Sequence, residues 1–267
     1  MKLSIVTNSY NQAAFLEEAI SSVINQDYSD IEYIVVDPGS TDGSREIIDR
    51  YRDQIDKIIF EPDNGPADGL NKGFSRATGE VYGFLNADDL LAPGAIERVA
   101  SFFTNNPEID VISGHCWIID GEGNIRRRFY SDRYSLLMAR YGASFLAQPS
   151  TFFRAAVFRK LHGFNTDNRS NWDGELFVDM ALAGARFALA PMFLSSYRIH
   201  GSSITGTGKL HVLHQMHSKS MFEKIAHRSP GMLDSVMAFG AKFLRKILNP
   251  RDTLERLRRG PIYRSSP

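Results

Sequence analysis

Apolar residues in the first hundred positions switch repeatedly between two periods. Leu3 to Thr7 is a short run rich in β-branched residues and predicts a strand. Across residues 12–25, Phe15, Ala19, Ile20, Val23 and Ile24 recur at helical spacing. Tyr33–Val36 predicts a second strand, and Ser40-Thr41-Asp42-Gly43 is turn chemistry that caps a helix over 43–51. Lys57–Phe60 predicts a third strand, followed by a Gly/Pro/Asp loop at 62–66 and a helix at 66–76. Val81–Leu85 is a fourth strand, and Pro93 opens a helix near 94–104. This alternation predicts an α/β fold with a mostly parallel central sheet flanked by helices.

The second half is less regular. Residues 110–130 read as β-rich around a turn at Asp120-Gly121-Glu122-Gly123, and 151–162 and 174–184 read as helices. Phe187–Leu189 and Phe193–Arg198 read as two strands, and the chain reads as helix from Lys209 onward. The expected division is therefore a domain over 1–205, with halves 1–104 and 105–205, and a helical, basic extension over 206–267.

Composition narrows the field. Lys+Arg and Asp+Glu are both 31, so nothing in the charge balance favours nucleic acid as a partner. The single cysteine, Cys116, excludes an intrachain disulfide and a cysteine-based zinc site, and reads as a small buried apolar residue. Polar Thr7 and Asn8 interrupt the N-terminal apolar run before it reaches signal-peptide length. No run of about 18 apolar residues predicts a membrane span. The expected location is the cytoplasm or the inner face of a membrane.

In a parallel sheet covered by helices, ligands bind beyond the carboxyl ends of the strands. Polar clusters stand at those ends: Thr7-Asn8-Ser9-Tyr10, Asp37, and Asn86-Ala87-Asp88-Asp89. Adjacent carboxylates there are best tolerated when a divalent cation lies between them and a phosphate, and hard oxygen ligands favour Mg2+ or Mn2+ over zinc. The competing reading of Asp88 or Asp89 is an ordinary helix N-cap.

Context favours the cation. SIVTNSYNQ, VVDPGSTDGS and EPDNGPADGLNKGFSRATGEVYGFLNADD follow one another in an order that resembles the family-2 glycosyltransferases, which have the GT-A fold. The resemblance extends to about Thr205. It implies that Thr7, Ser9 and Tyr10 line the base and ribose of a nucleotide-sugar, that Asp37 faces the base, and that Asp68 and Lys72 approach the ribose or diphosphate. Asn86, Ala87 and Asp88 correspond to the family's DxD motif, with Asp88 the main metal ligand and Asp89 and His200 of SYRIHGSSIT assisting. UDP is the expected nucleotide, as the commonest in the family. Asn86 stands where the first Asp is usual, and Pro38 leaves Asp37 as a lone carboxylate.

Glycosyl transfer also needs a base for the acceptor hydroxyl. NWDGELFVDMALAGARF resembles the family's acidic motif at the start of a helix, with Asp173 aligned to the catalytic base and Glu175 the second candidate. Acids in a first helical turn are also favoured by the helix dipole alone. Gln148 and Trp172 are candidate acceptor contacts. The reading is an inverting, metal-dependent glycosyltransferase acting on a saccharide or lipid-linked saccharide in polysaccharide, lipopolysaccharide or glycolipid synthesis. A nucleotidyltransferase is disfavoured because TNSYNQ has no glycine after the first strand. A dinucleotide-dependent oxidoreductase lacks G-x-G-x-x-G there. A sugar-binding relative without activity is disfavoured by the presence of Asp88 and Asp173.

Two features remain outside that reading. His211, His214, His217 and His227 do not share one helical face tightly enough for a metal site. In 232–248, Met232, Leu233, Val236, Phe239, Phe243, Leu244 and Ile247 lie on one side with Lys242, Arg245 and Lys246 nearby. That is a pattern suited to packing on the domain or to lying on an anionic membrane.

Overall fold

The computed structural model describes residues 1–201 and 211–260, without the side chains of 211–216. The SSIT end of the SYRIHGSSIT segment, the expected boundary at 205/206, the side chains of His211 and His214, and the basic residue Arg264 lie outside the described residues. Described strands form one sheet in the order β3-β2-β1-β4-β8-β6-β9-β5, with β7 beside β6. In chain order these are β1 Leu3–Asn8, β2 Ile31–Val36, β3 Lys57–Ile59, β4 Val81–Asn86, β5 Leu90–Leu91, β6 Val111–Ile119, β7 Ile125–Phe129, β8 Thr151–Arg154 and β9 Phe187–Arg198. The helices are α1 Ala13–Ile24, α2 Ser44–Arg50, α3 Pro66–Ser75, α4 Ala95–Asn105, α5 Leu136–Arg140, α6 Ala155–Arg159, α7 Trp172–Leu182, α8 His211–Ala226, α9 Met232–Leu248 and α10 Pro250–Arg259.

The parallel part is the block β3-β2-β1-β4, where the sequence alternation is cleanest. Beyond β4 the joins become antiparallel, apart from the long parallel pairing of β6 with β9. Alternate residues of β1 serve opposite faces. Leu3 and Ile5 pack into the layer that includes α1 and α4, and Val6 into the layer that includes α3, α6 and α7. Gly73 lets α3 lie tight on that second face, since a Cβ there would come within 2.5 Å of the Val6 side chain.

Two expectations of the second half are corrected. Residues 151–162 do not begin as a helix. Thr151, Phe152 and Phe153 are buried and are hydrogen-bonded between β4 and β6. A segment flanked by strands on both sides finds its backbone partners there, and only Ala155–Arg159 turns helical. Likewise, Phe187–Leu189 and Phe193–Arg198 are one strand. β9 runs unbroken through Pro191, and its pairing with β6 shifts register between Ser113 and Cys116, an irregularity of the kind that tolerates a proline in a strand.

Buried charge stitches the sheet. Glu32 on β2 accepts hydrogen bonds from Ser4 Oγ (2.5 Å), Thr78 N (2.7 Å) and Lys57 Nζ (2.7 Å). Burial alone would raise its carboxyl, but these donors outweigh it and hold the pKa at about 2. Because the folded pKa lies below the ordinary value of 4.5, the stabilisation is full above about pH 4.5 and is lost as pH falls toward 2. Urea unfolding midpoints at pH 7 and pH 3 should therefore differ less in Glu32→Gln than in the wild type. An equal difference in both would remove this carboxylate from the account.

The C-terminal helices are pinned by a second ionic cluster. Asp252 accepts from Arg127 (2.9 Å), Arg245 (3.0 Å) and Arg256 (2.9 Å), and Arg245 also reaches Asp132 at 2.6 Å. Among the described residues no helix is long and apolar enough to cross a membrane.

Candidate active site

Strands β1 and β4 are paired residue for residue and end together at Asn8 and Asn86. Ala87 N donates to Asn8 O at 3.2 Å, so the turn after β4 stays beside the end of β1. Two polar atoms buried at the end of β1, Asn8 Oδ1 and Ser9 Oγ, have no hydrogen-bond partner among the described residues. Unpaired buried polar atoms are costly, and such a pair at a strand end invites a ligand. Asn8 belongs to the polar cluster that the sequence places at this strand end, but the family resemblance gives it no contact of its own. Gly69 on α3 keeps the approach to Asn8 open, because a Cβ would stand 2.7 Å from Asn8 Oδ1.

Other donor-side candidates are used differently. Thr7 is fully buried and its hydroxyl accepts from Tyr33 at 2.9 Å, so it is spent inside the sheet. Tyr10 is exposed in the following loop. Asp37, also fully buried, closes its own loop. It accepts from Gly39 N (3.0 Å), Ser40 N (2.8 Å), Ser40 Oγ (2.5 Å) and Arg45 Nε (3.1 Å). Asp68 and Lys72 sit one turn apart at 3.6 Å, with Asp68 accepting from Asn64 N and Lys72 bonded to Pro62 O.

The two acids after β4 part company. Asp88 Oδ2 lies 3.0 Å from His200 Nε2, which follows the end of β9 and packs against Phe15 with ring centres 4.4 Å apart. Asp89 is fully buried instead. Its carboxyl accepts from Arg198 N at 2.9 Å and Asn86 Nδ2 at 3.3 Å. Burial, with Asp88 beside it, pushes the Asp89 pKa well up. Asp89 thus braces the junction of β4 and β9, a use the adjacent-carboxylate pattern did not anticipate. Among the described residues no group of three His, Cys, Asp or Glu side chains could hold an ion unaided. Asp88 and His200 could offer a carboxylate oxygen and an imidazole nitrogen to Mn2+ or Mg2+, with other oxygens completing the shell.

Arg198 is the residue that sequence reasoning passed over. It is 1% exposed, its guanidinium donates to Asp88 O (2.9 Å) and Gly121 O (3.1 Å), and it pairs with Glu18 at 2.5 Å over the Phe15 ring. An arginine closing an apolar strand was the signal. Arg198→Met would strand these carbonyls and should cost about 3 kcal/mol of unfolding free energy, read from urea denaturation. A loss under about 0.5 kcal/mol, as at an ordinary surface site, would contradict that role.

On the acceptor side, Gln148 spends its amide on the fold. Its Oε1 accepts from Asn86 at 3.0 Å and its Nε2 donates to Phe84 O at 3.0 Å. Trp172 packs on Phe84 and Phe164, with ring centres 5.5 and 5.3 Å away. Both therefore touch the strand that carries Asn86. Glu175 is buried and accepts from Asn168 (2.7 Å), Asn165 (3.1 Å) and Lys224 (2.7 Å). Its pKa is raised by burial but drawn below the ordinary value overall by those partners. Asp173, in the first turn of α7, lines a cavity of about 720 Å³ together with α5, α8 and α9. Neither Asp88 nor His200 lines that cavity.

A family model, "Glycosyl transferase family 2", matches residues 4–162, more than half of the chain. The chain belongs to that family. The matched range includes both Asn8 and Asp88. Three uncharacterized glycosyltransferases are 28–38% identical to it, and the chain spans between 50% and 70% of their length. The GalNAc(5)-diNAcBac-PP-undecaprenol beta-1,3-glucosyltransferase of Campylobacter jejuni is 30% identical over 159 residues, covering 55% of this chain and half of the relative. The GT-A fold is shared with S. aureus TarS 1–349 in complex with UDP-GlcNAc (TM-score 0.70, 17% identity, 97% of this chain and 73% of that one). It is shared too with a mannosyltransferase from Pyrobaculum calidifontis in complex with GDP-Man and Mn2+ (TM-score 0.64, 20% identity, 96% and 73%).

Proposed function

We propose that this family-2 protein transfers a sugar from a UDP-sugar to an acceptor hydroxyl with inversion, using Mn2+ or Mg2+, on a saccharide or lipid-linked saccharide of the cell envelope. The observation that carries the reading is the meeting of Asp88 Oδ2 and His200 Nε2 at 3.0 Å, beside the unpaired Asn8 Oδ1 and Ser9 Oγ. Asn8 and Ser9 offer hydrogen bonds to the nucleoside. Asp37 shapes the base-facing loop, and Asp68 and Lys72 flank the route to the diphosphate. A divalent cation on Asp88 and His200 would supply neutralisation of the leaving diphosphate. Asn86 is held by Gln148 and adds a neutral amide next to that edge.

Asp173 is the base of this reading. It faces a cavity large enough for an acceptor, whereas Glu175 is bound by an amine and two amides and serves to fix α7 against α8. The UDP choice draws on the UDP-GlcNAc complex of the TarS structure and the metal on the Mn2+ in the mannosyltransferase. The lipid-linked acceptor, and with it a place on the inner face of a membrane, draws on the undecaprenol-linked substrate in the Campylobacter relative's name.

The test is donor binding and slow donor hydrolysis across UDP-, GDP-, dTDP- and CDP-sugars with Mn2+, with Mg2+ and with EDTA. Metal-dependent binding and hydrolysis of a UDP-sugar is expected. Failure of every nucleotide-sugar to bind with either metal would sink the catalytic reading and leave that of a sugar-binding relative.

A further inference from the structure

The outer surface of α9 is inverted relative to that of an ordinary surface helix. Its polar anchors, Asp234 and Arg245, are buried, while Met232 is 93% exposed, Leu233 80% and Phe239 76%. At about 100° per residue, Val236, Phe243 and Ile247 fall on the same outward side, and all three are exposed. Leu254 and Leu257 of α10 extend the apolar surface at 52% and 78% exposure. An apolar ridge of this extent on a water-facing helix marks a contact surface.

Its orientation is fixed. Arg245 and Arg256 share the Asp252 carboxylate with Arg127 of β7, and Asn249 Nδ2 donates to Asp132 at 2.7 Å. Rolling α9 to hide the ridge would break these ion pairs and leave buried charges without partners.

Charge selects the occupant. Asp234, Asp252 and Glu255 are the only acids of α9 and α10. Asp234 and Asp252 are buried in ion pairs, and Glu255 accepts from Arg128 N at 2.9 Å. Lys242, Lys246, Arg251, Arg258 and Arg259 are all exposed. A second copy docked ridge to ridge would set this positive border against its own like. An anionic lipid surface complements both the apolar ridge and the cations around it. One flank of the same helix contributes Ser235, Ala238 and Lys242 to the cavity that Asp173 lines.

We propose that the outward face of α9 and α10 docks on an anionic lipid bilayer and thereby sets the rim of the Asp173 cavity at the headgroup layer. α9 is then the wall between bilayer and acceptor site. Lys242 stands at its edge, where the phosphate of a lipid-linked acceptor would lie. The consequence for the acceptor rests on the proposed transferase function; the docking itself does not.

The experiment is co-sedimentation of the full chain with phosphatidylcholine vesicles and with equimolar phosphatidylcholine–phosphatidylglycerol vesicles, with UDP-GlcNAc binding in Mn2+ measured on the same samples. The wild type should pellet with the anionic vesicles. Phe239→Ser with Phe243→Ser should lower partitioning at least about tenfold, from the apolar area withdrawn. Lys242→Glu with Lys246→Glu should remove the preference for anionic over neutral vesicles. All variants should keep the wild-type melting temperature, since the altered residues are exposed. No pelleting of the wild type, or equal pelleting of the wild type and the Phe pair, would overturn the proposal. So would a wild-type dimer by light scattering that the Phe pair converts to monomer, which would assign the ridge to a second copy. Pelleting with no binding of UDP-GlcNAc or of any other UDP-, GDP-, dTDP- or CDP-sugar would sink the transferase reading alone, and binding without pelleting would sink the docking alone.

Discussion

Asp173→Asn should lower the turnover of donor and acceptor by about 10²- to 10⁴-fold, the range expected when a positioned general base is removed. The asparagine keeps the size and the first-turn position of the side chain but cannot take a proton. Donor affinity should therefore stay within about twofold of wild type, a free-energy change below about 0.5 kcal/mol. The measurement is single-turnover transfer at saturating donor, with donor binding followed separately. Wild-type transfer in the variant would move the base elsewhere, and a parallel loss of donor binding would make Asp173 a donor contact. Glu175→Gln supplies the contrast. Its carboxylate bonds to Lys224 and two asparagines, so its loss should lower stability before it touches the chemical step.

Asp88→Ala should remove the metal response altogether. In the proposed site, losing the carboxylate that meets His200 would leave the imidazole to hold the cation without it. Turnover should fall by about 10³-fold or more, equivalent to about 4 kcal/mol of transition-state stabilisation. The residual rate should be the same with Mn2+, with Mg2+ and with EDTA. A variant still stimulated by Mn2+ to the wild-type extent would show that Asp88 does not hold the ion. His200→Asn should fall between this variant and wild type, because a neutral ligand adds binding without charge.

The parallel block was legible because its strands are short β-branched runs and the helices between them carry apolar residues at helical spacing. The side chains those strands deliver were legible too, as polar residues following apolar runs. What those side chains do was harder to read. Asp88 and Asp89 are neighbours in sequence, yet one faces His200 and the other is sealed under Arg198, because adjacent residues leave a turn in different directions. Gln148 resembles a sugar contact in sequence, and only pairing of β8 with β4 reveals that it holds Asn86. Thr151–Phe153 carry apolar residues that suit either period, and the open backbone groups of β4 and β6 decide for a strand. The mismatch at Pro191 has the same origin. Long-range pairing is invisible to local pattern, and it dominates where strands from distant parts of the chain meet.

The order of the sheet has a mechanical implication. Its path starts at β3 and, after crossing β8, β6 and β9 from the second half of the chain, ends on β5 from the first half. Leu90 and Leu91 pair with Ser196 and Ser195, so the polypeptide that carries Asp88 runs from β4 in the middle of the sheet to β5 at its far edge. Strands from residues 1–104 and from 105–205 therefore interleave in one sheet. Swinging one of these parts against the other would break the backbone pairing of β4 with β8 and of β5 with β9. A change of shape that keeps the sheet intact is left to segments that lead out of the strands, such as the exposed loop after β1 that carries Tyr10.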